Sequence, residues 1–225
     1  MYELLYSDTE IIVVNKAPDL ACHPLAGGAK LNVLELVAEA FPEVRSAFPD
    51  DREGGLCHRI DNGTSGIVVI ARRQEARKEL RELFANGRID KSYLAIVQGR
   101  VSGPFEVNLP IAHHKKNARK MVAMTSATTK HRSHPRESRT QGDIIFATDH
   151  ASLVRVTIGA GRRHQIRVHL ASMGNPIWGD VMYGGPKAKH LRGHALHAAT
   201  ITLPNGTTLE AHYPKEWDDE LSPYR

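Results

Sequence analysis

The chain has 225 residues, 41% hydrophobic and 24% charged, which is enough apolar material for one large core or two small ones and too much for a disordered chain. Lys and Arg exceed Asp and Glu by 30 to 25, no apolar run approaches the roughly 18 residues of a membrane-crossing helix, and the start lacks the basic segment of a secretory leader. The two cysteines, Cys22 and Cys57, form no CxxC pair, so neither a zinc knuckle nor a disulfide framework is implied; a cytoplasmic protein with two buried thiols is expected.

In chain order, residues 3–6 and 11–14 read as two short strands, the second stopped by Asn15-Lys16-Ala17-Pro18. Asn32 is placed to cap a helix that carries Val33, Leu34, Leu36, Val37 and Phe41 on one face and closes at Pro42. Residues 42–55, with mixed charge, prolines and glycines, read as a loop. Residues 67–71 form an apolar, β-branched run expected as a buried strand. Between that run and Leu56 lie His58-Arg59-Ile60-Asp61 and the turn residues Asn62-Gly63-Thr64-Ser65-Gly66, so Asp61 sits on a tight loop beside the core. Its carboxylate either caps the backbone N–H groups of the turn, the ordinary role of Asp in turns, or is a reactive group.

Residues 74–86 predict an amphipathic helix with Ala76, Leu80, Leu83 and Phe84 inward and Gly87 as its stop, and residues 91–98 a strand ended by Gly99. Tyr93 in that strand is a packed aromatic or a site residue. Residues 111–142 show little periodicity and are expected as a long, mobile surface arm. Within 113–139 they hold Lys115, Lys116, Arg119, Lys120, Lys130, Arg132, Arg136 and Arg139 against the single acid Glu137, a basic stripe that suits a polyanion. Strands resume at 143–148 and 152–158. Gly159-Ala160-Gly161-Arg162-Arg163-His164 then leads into a short helix; it comes near a dinucleotide fingerprint, but His164 replaces the third glycine, and the arginines at a helix start suit a nucleic-acid phosphate better. Residues 175–185 read as a loop bearing Trp178 and Tyr183, and residues 195–213 as a hairpin turned by Asn205-Gly206. Strands joined mostly by short turns make the class α+β, with a largely antiparallel mixed sheet flanked by helices and loops.

Thirteen histidines raise the question of a metal, but no HExxH or CxxC is present, and His164 and His169 are poorly spaced for one ion. His58-Arg59-Ile60-Asp61 resembles a kinase catalytic loop without the rest of the kinase signatures. One reactive Asp, arginines, strand aromatics and a basic arm together fit an enzyme acting on RNA without metal or nucleotide cofactor.

Residues 58–66 resemble the HRLDxxTSG signature of the RluA-type pseudouridine synthases. Residues 91–97 are similar to that family's KxYxAxV strand, 161–170 to its GRTHQIRVHL motif, and 175–184 to its HPIxGDxxYG segment. Residues 12–18 and Leu196-His197-Ala198 also correspond, so the resemblance spans about residues 4–215. It implies a single catalytic domain over 1–225, with the basic insertion at about 111–142 and no separate N-terminal RNA-binding domain. The implied activity is isomerisation of uridine in structured RNA, tRNA or ribosomal RNA, to pseudouridine, by a monomer without cofactor or metal. Asp61 matches the family's catalytic aspartate, acting on the nucleotide or on a sugar proton. Arg167 would pair with Asp61 and keep it ionised, and Tyr93 would stack on the uracil. Arg59 would enter the RNA stack vacated by the flipped base. Arg162, Arg163, His164, Lys115, Lys116, Arg119 and Lys120 are the expected RNA contacts. The alternative is a family member that binds and helps fold RNA without turnover. Arg163 departs from the motif, where Thr is usual.

Overall fold

The computed structural model describes residues 1–24, 31–49, 51–126 and 131–222. In chain order its elements are β1 (Tyr2–Ser7), β2 (Ile11–Lys16), α1 (Val33–Ala40), α2 (Glu43–Ala47), β3 (Ser65–Ala71), α3 (Gln74–Ala85), β4 (Lys91–Gln98), β5 (Phe105–Asn108), β6 (Ile111–His113), β7 (Met121–Ala123), β8 (Arg139–Ala147), β9 (Ala151–Ile158), α4 (Gln165–Ser172), a 3-10 turn (Val181–Tyr183), β10 (Leu196–Thr202), β11 (Thr208–Glu210) and α5 (Glu216–Leu221). Contacts gather into two compact units, Met1–Lys91 with His197–Pro214, and Ser92–Leu196 with Lys215–Arg225.

In the first unit β1 and β2 form an antiparallel hairpin whose turn is held by Asp8, which accepts the N–H groups of Glu10 and Ile11 at 2.8 Å each. Strand β2 runs antiparallel to β3 from Ile11 opposite Ala71 to Lys16 opposite Gly66. All seven residues of β3 are buried, which is why the run is continuously apolar rather than alternating. Helix α1 starts as its cap predicts, with the Asn32 side chain accepting the Glu35 N–H at 3.0 Å, and it packs Val33, Leu34 and Val37 with Ile12, Val14, Val68 and Ile70. One expectation is corrected here. The segment 42–55 contains the short helix α2, because Pro42 at a helix start forfeits no needed N–H and Val44 beyond it is buried in the same core.

Strand β3 pairs in parallel with β10, His197 opposite Ser65 and Ala198 opposite Gly66. Gly66 takes φ +110, and a Cβ there would stand 2.3 Å from the Ala198 carbonyl oxygen. A glycine is therefore required where the Asp61 loop enters its strand. Helix α3 buries Ala76, Leu80 and Phe84 and leaves the rest of its surface to arginines and glutamates.

In the second unit β4, β9, β8 and β5 pair successively, all antiparallel. Residues 111–142, expected as an arm with little regular structure, instead carry the hairpin β6–β7 and the start of β8. Ile111, Met121 and Ala123 are buried with Val168 and Tyr183, so the arm has its own small core. Lys130, part of the basic stripe, lies outside the described residues. Strand β5 was not expected and β8 begins at Arg139 rather than 143. The reason is Gly142, which reads as a break but lies opposite Phe105, whose ring occupies the space a Cβ would need.

Candidate active site

The loop bearing Asp61 is fastened from three sides. Within it, the Thr64 N–H donates to the Asp61 carbonyl at 3.0 Å, and at its start the Cys57 N–H donates to Val69 O at 3.0 Å. Below it lies Lys16, at the end of β2 and fully buried. Its ammonium donates to the carbonyls of Leu20 at 2.8 Å, Ala17 at 3.0 Å and Asn62 at 3.1 Å, the last being the residue after Asp61. Burial lowers the Lys16 pKa to about 8, against the opposing pull of the negative charges at Asp19 and Asp61. At the far end of the loop the Ser65 hydroxyl bonds His197 Nδ1 at 2.9 Å, and His197 Nε2 bonds Ala211 O at 2.9 Å. Because the Ala211 carbonyl can only accept, the hydrogen of the neutral ring is assigned to Nε2, and Nδ1 accepts from Ser65. Burial holds this imidazole neutral, with its pKa down to about 4.

His58 and Arg59 leave the loop in different directions. The His58 ring stacks on Phe84 with centroids 4.2 Å apart, and its Nε2 accepts the Val69 N–H at 3.2 Å. Burial, then the Lys91 charge, push its pKa down to about 3, so it anchors the loop as a neutral ring. Arg59 is exposed; its Nη1 bonds the Glu53 carboxylate and lies 3.1 Å from His23 Nε2. The other Glu53 oxygen takes Arg81 Nη2 at 2.9 Å, so Glu53 joins the two guanidiniums. Both cysteines are buried, and burial pushes the Cys57 thiol up to about 12, far from a reactive thiolate.

In the second unit Tyr93 lies buried on β4 opposite Val156. Arg167, on α4, is buried too, and its Nε and Nη2 grip both oxygens of the buried Asp180 at 2.7 and 2.9 Å. A bidentate pair of this kind fixes a guanidinium in plane and position. The Tyr183 ring lies against the same group, 5.1 Å from Cζ to centroid.

Around Tyr183 the structure brings together several of the expected RNA-binding residues. Its hydroxyl accepts the Met121 N–H at 2.8 Å and meets His164 Nδ1 at 2.8 Å, and Lys120 Nζ stands 5.3 Å from its ring centre. Arg163 reaches back to the carbonyls of Ala118 at 3.4 Å and Arg119 at 3.3 Å, which explains what this residue does in place of the motif's Thr. Lys115, Lys116 and Arg119 are exposed on the turn between β6 and β7, which closes through the Lys120 N–H on Asn117 O at 3.1 Å. Arg162 Nε is buried without a hydrogen-bond partner among the described residues, and burial with the neighbouring Arg136 charge lowers its pKa. Such a guanidinium suits an anion.

The remaining polar groups of α4 hold the arm in place. Gln165 donates to Arg139 O at 2.8 Å and to the Thr140 hydroxyl at 3.1 Å, while His169 joins that hydroxyl at 2.8 Å and Leu109 O at 2.9 Å. Sequence reasoning did not assign Lys16, His197, Asp180 or Tyr183 to the site. The signal for Asp180 and Tyr183 was present, a buriable acid and a large aromatic in a loop that supplies Arg167 with a bidentate carboxylate.

A sequence profile described as RNA pseudouridylate synthase matches residues 10–172. The chain is 31% identical over 207 residues to the ribosomal large subunit pseudouridine synthase D of Zymomonas mobilis, covering 88% of this chain and 63% of that protein. It is 37% identical over 205 residues to an uncharacterized RNA pseudouridine synthase of Mycobacterium bovis, covering 89% and 64%. The chain thus spans slightly less than two thirds of the length of these relatives. Among solved structures, human RNA pseudouridylate synthase domain containing 4 superposes with a TM-score of 0.76 at 24% identity, over 97% of this chain and 91% of that one. Human RNA pseudouridylate synthase domain containing 1 gives 0.73 at 24% identity, over 96% and 84%. The α+β fold is the fold of these domains.

Proposed function

The chain belongs to the RNA pseudouridylate synthase family, and from that premise we propose that it isomerises specific uridines in RNA to pseudouridine. The observation that supports this most strongly is the Asp61 loop, a carboxylate-bearing turn clamped at Asn62 by a buried ammonium and at Ser65 by a buried neutral histidine. Rigid placement of a reactive side chain is what such a site requires.

In the reaction the N1–C1′ bond breaks, C5 joins C1′, the C5 proton leaves and N1 gains one. No atom or electron is lost overall, so no redox partner is called for. Asp61, ionised, takes the central role, either by attacking the nucleotide or by removing a sugar proton. Arg167 supplies positive charge to that carboxylate, and Tyr93 stacks on the uracil. Tyr93 as a base would have to overcome a free phenol pKa of about 10, so stacking is the role assigned to it. Arg59 fills the gap left by the flipped base, a task that a planar guanidinium performs by stacking and hydrogen bonding.

The names of the relatives favour ribosomal RNA of the large subunit as the substrate class, and the exposed Lys115, Lys116 and Arg119 with Arg162, Arg163, His164 and Lys120 supply the phosphate contacts. The protein acts as a monomer in the cytoplasm; no described helix is long and apolar enough to cross a membrane. A chemical pseudouridine map of RNA from cells lacking the protein tests the reading. One or more sites are expected to vanish, to return with the wild-type chain and to stay absent with Asp61→Asn. Unchanged maps overturn it, and RNA binding without isomerisation by the purified protein would instead mark a non-catalytic RNA-binding role.

A further inference from the structure

We infer that Tyr183 is a positioning residue that fixes the basic 115–120 turn against helix α4 and so sets where RNA phosphates are held. The inference rests on the function proposed above, but its structural basis is independent of it. The turn is linked to the body of its unit at two points on the C-terminal side of its charged stretch. The inner tether is the first N–H of strand β7, that of Met121, which donates to the Tyr183 hydroxyl at 2.8 Å. The outer tether is Arg163, which donates to the carbonyls of Ala118 and Arg119.

The same hydroxyl meets His164, whose backbone adopts φ +55, a left-handed conformation that is costly for a residue other than glycine. Such a residue needs a partner that over-determines its place, and Tyr183 provides it for the residue that opens α4. The Tyr183 ring then lies within 5.1 Å of the Arg167 guanidinium and 5.3 Å of the Lys120 ammonium. One side chain therefore touches the arm, the helix start, the buried arginine and the last cation of the turn. A two-stranded hairpin of three-residue strands has little stability of its own, so its position follows from such tethers.

Tyr183→Phe separates these functions, because it keeps the ring beside Arg167 and Lys120 and removes only the hydroxyl. Two measurements test it. Amide exchange, which needs no RNA, is expected to accelerate at Met121 and across the 115–120 turn while the later turns of α4 keep their protection. With RNA extracted from cells lacking the protein as substrate, KM is expected to rise about five- to tenfold, the cost of one buried hydrogen bond, and by more than kcat falls. The dependence of log KM on log salt is expected to become shallower, as fewer phosphates are held. A merely structural role would lower kcat through the active fraction and leave the salt slope alone. Arg163→Gln, which cuts the outer tether and leaves Tyr183 intact, is expected to quicken exchange at 118–120 only. Unchanged exchange at Met121 in Tyr183→Phe, or equal losses in kcat and KM with an unchanged salt slope, overturns the inference. A wild-type chain that makes no pseudouridine overturns the proposed function instead, and the exchange result then decides the tether alone.

Discussion

The Asp61 loop and the Asp180 turn each bury a cation, and they hold it in opposite ways. Lys16 is wholly buried with its three N–H donors on three backbone carbonyls, whereas Arg167 is buried with two of its donors on a carboxylate. Carbonyl dipoles replace water only in part, so the lysine drops to a pKa of about 8 and its charge becomes conditional on pH. A guanidinium keeps its charge whatever its surroundings, and the two contacts from Asp180 fix its plane and position. The first arrangement clamps a backbone loop; the second holds a charge at a fixed place. A reactive loop needs the former and a counter-ion needs the latter.

Breaking the carboxylate cradle is expected to cost most. Asp180→Ala leaves Arg167 without its bidentate partner in a buried setting, a change that typically costs about 3–5 kcal/mol, to be read as a lower urea midpoint at unchanged m-value. Asp180→Asn keeps one acceptor and should fall between Ala and wild type. Breaking the carbonyl cradle should cost less. Lys16→Met frees three carbonyls but also removes a buried charge, and the net loss at pH 7 is expected to be about 1–3 kcal/mol. Its pH dependence sharpens the contrast. Because the folded pKa of about 8 lies below the ordinary value of 10.5, the unfolded chain holds more protons between those limits. Stability from this group therefore rises as pH climbs from about 8 to 10.5. The gap between wild type and Lys16→Met should widen over that range, while the gap to Asp180→Asn should not show that rise. Equal trends in both variants would sink the distinction between the two cradles.

Which parts of these arrangements were legible beforehand follows from how local their causes are. The Asp61 turn was legible because its glycines and its buried strand act over a few residues, and the Asn32 cap for the same reason. The role of Lys16 was not, since a lysine ending a strand ordinarily reads as a surface residue and only the folded chain brings Leu20 and Asn62 to its ammonium. Strand β8 was read short because Gly142 looks like a break until Phe105 is found across from it. The hairpin in the basic arm escaped because three-residue strands are too short to show alternation, and their burial depends on Val168 and Tyr183, about 45 to 72 residues onward. Tyr183 itself sits in a segment whose local chemistry is that of a loop. Its importance comes wholly from what converges on it.

The smallest expected effect concerns the third buried group of the comparison, His197, which bonds the Ser65 hydroxyl and the Ala211 carbonyl. Protonation would turn Nδ1 from an acceptor of the Ser65 hydroxyl into a donor facing it and would place a charge where burial disfavours one. Its folded pKa of about 4 lies below the ordinary 6.5, so the unfolded chain binds the extra proton more readily across that interval. The contribution is intact above pH 6.5 and is lost as pH falls toward 4, at up to about 1.4 kcal/mol per pH unit. His197→Gln retains an acceptor and a donor but does not titrate, so its stability should fall less steeply between pH 6.5 and 4. His58, with its pKa near 3, contributes to the acid slope in the same sense, and that share should survive in the variant. A slope identical to wild type would mean that the Ser65 contact, and with it the end of the Asp61 loop, does not depend on a neutral imidazole.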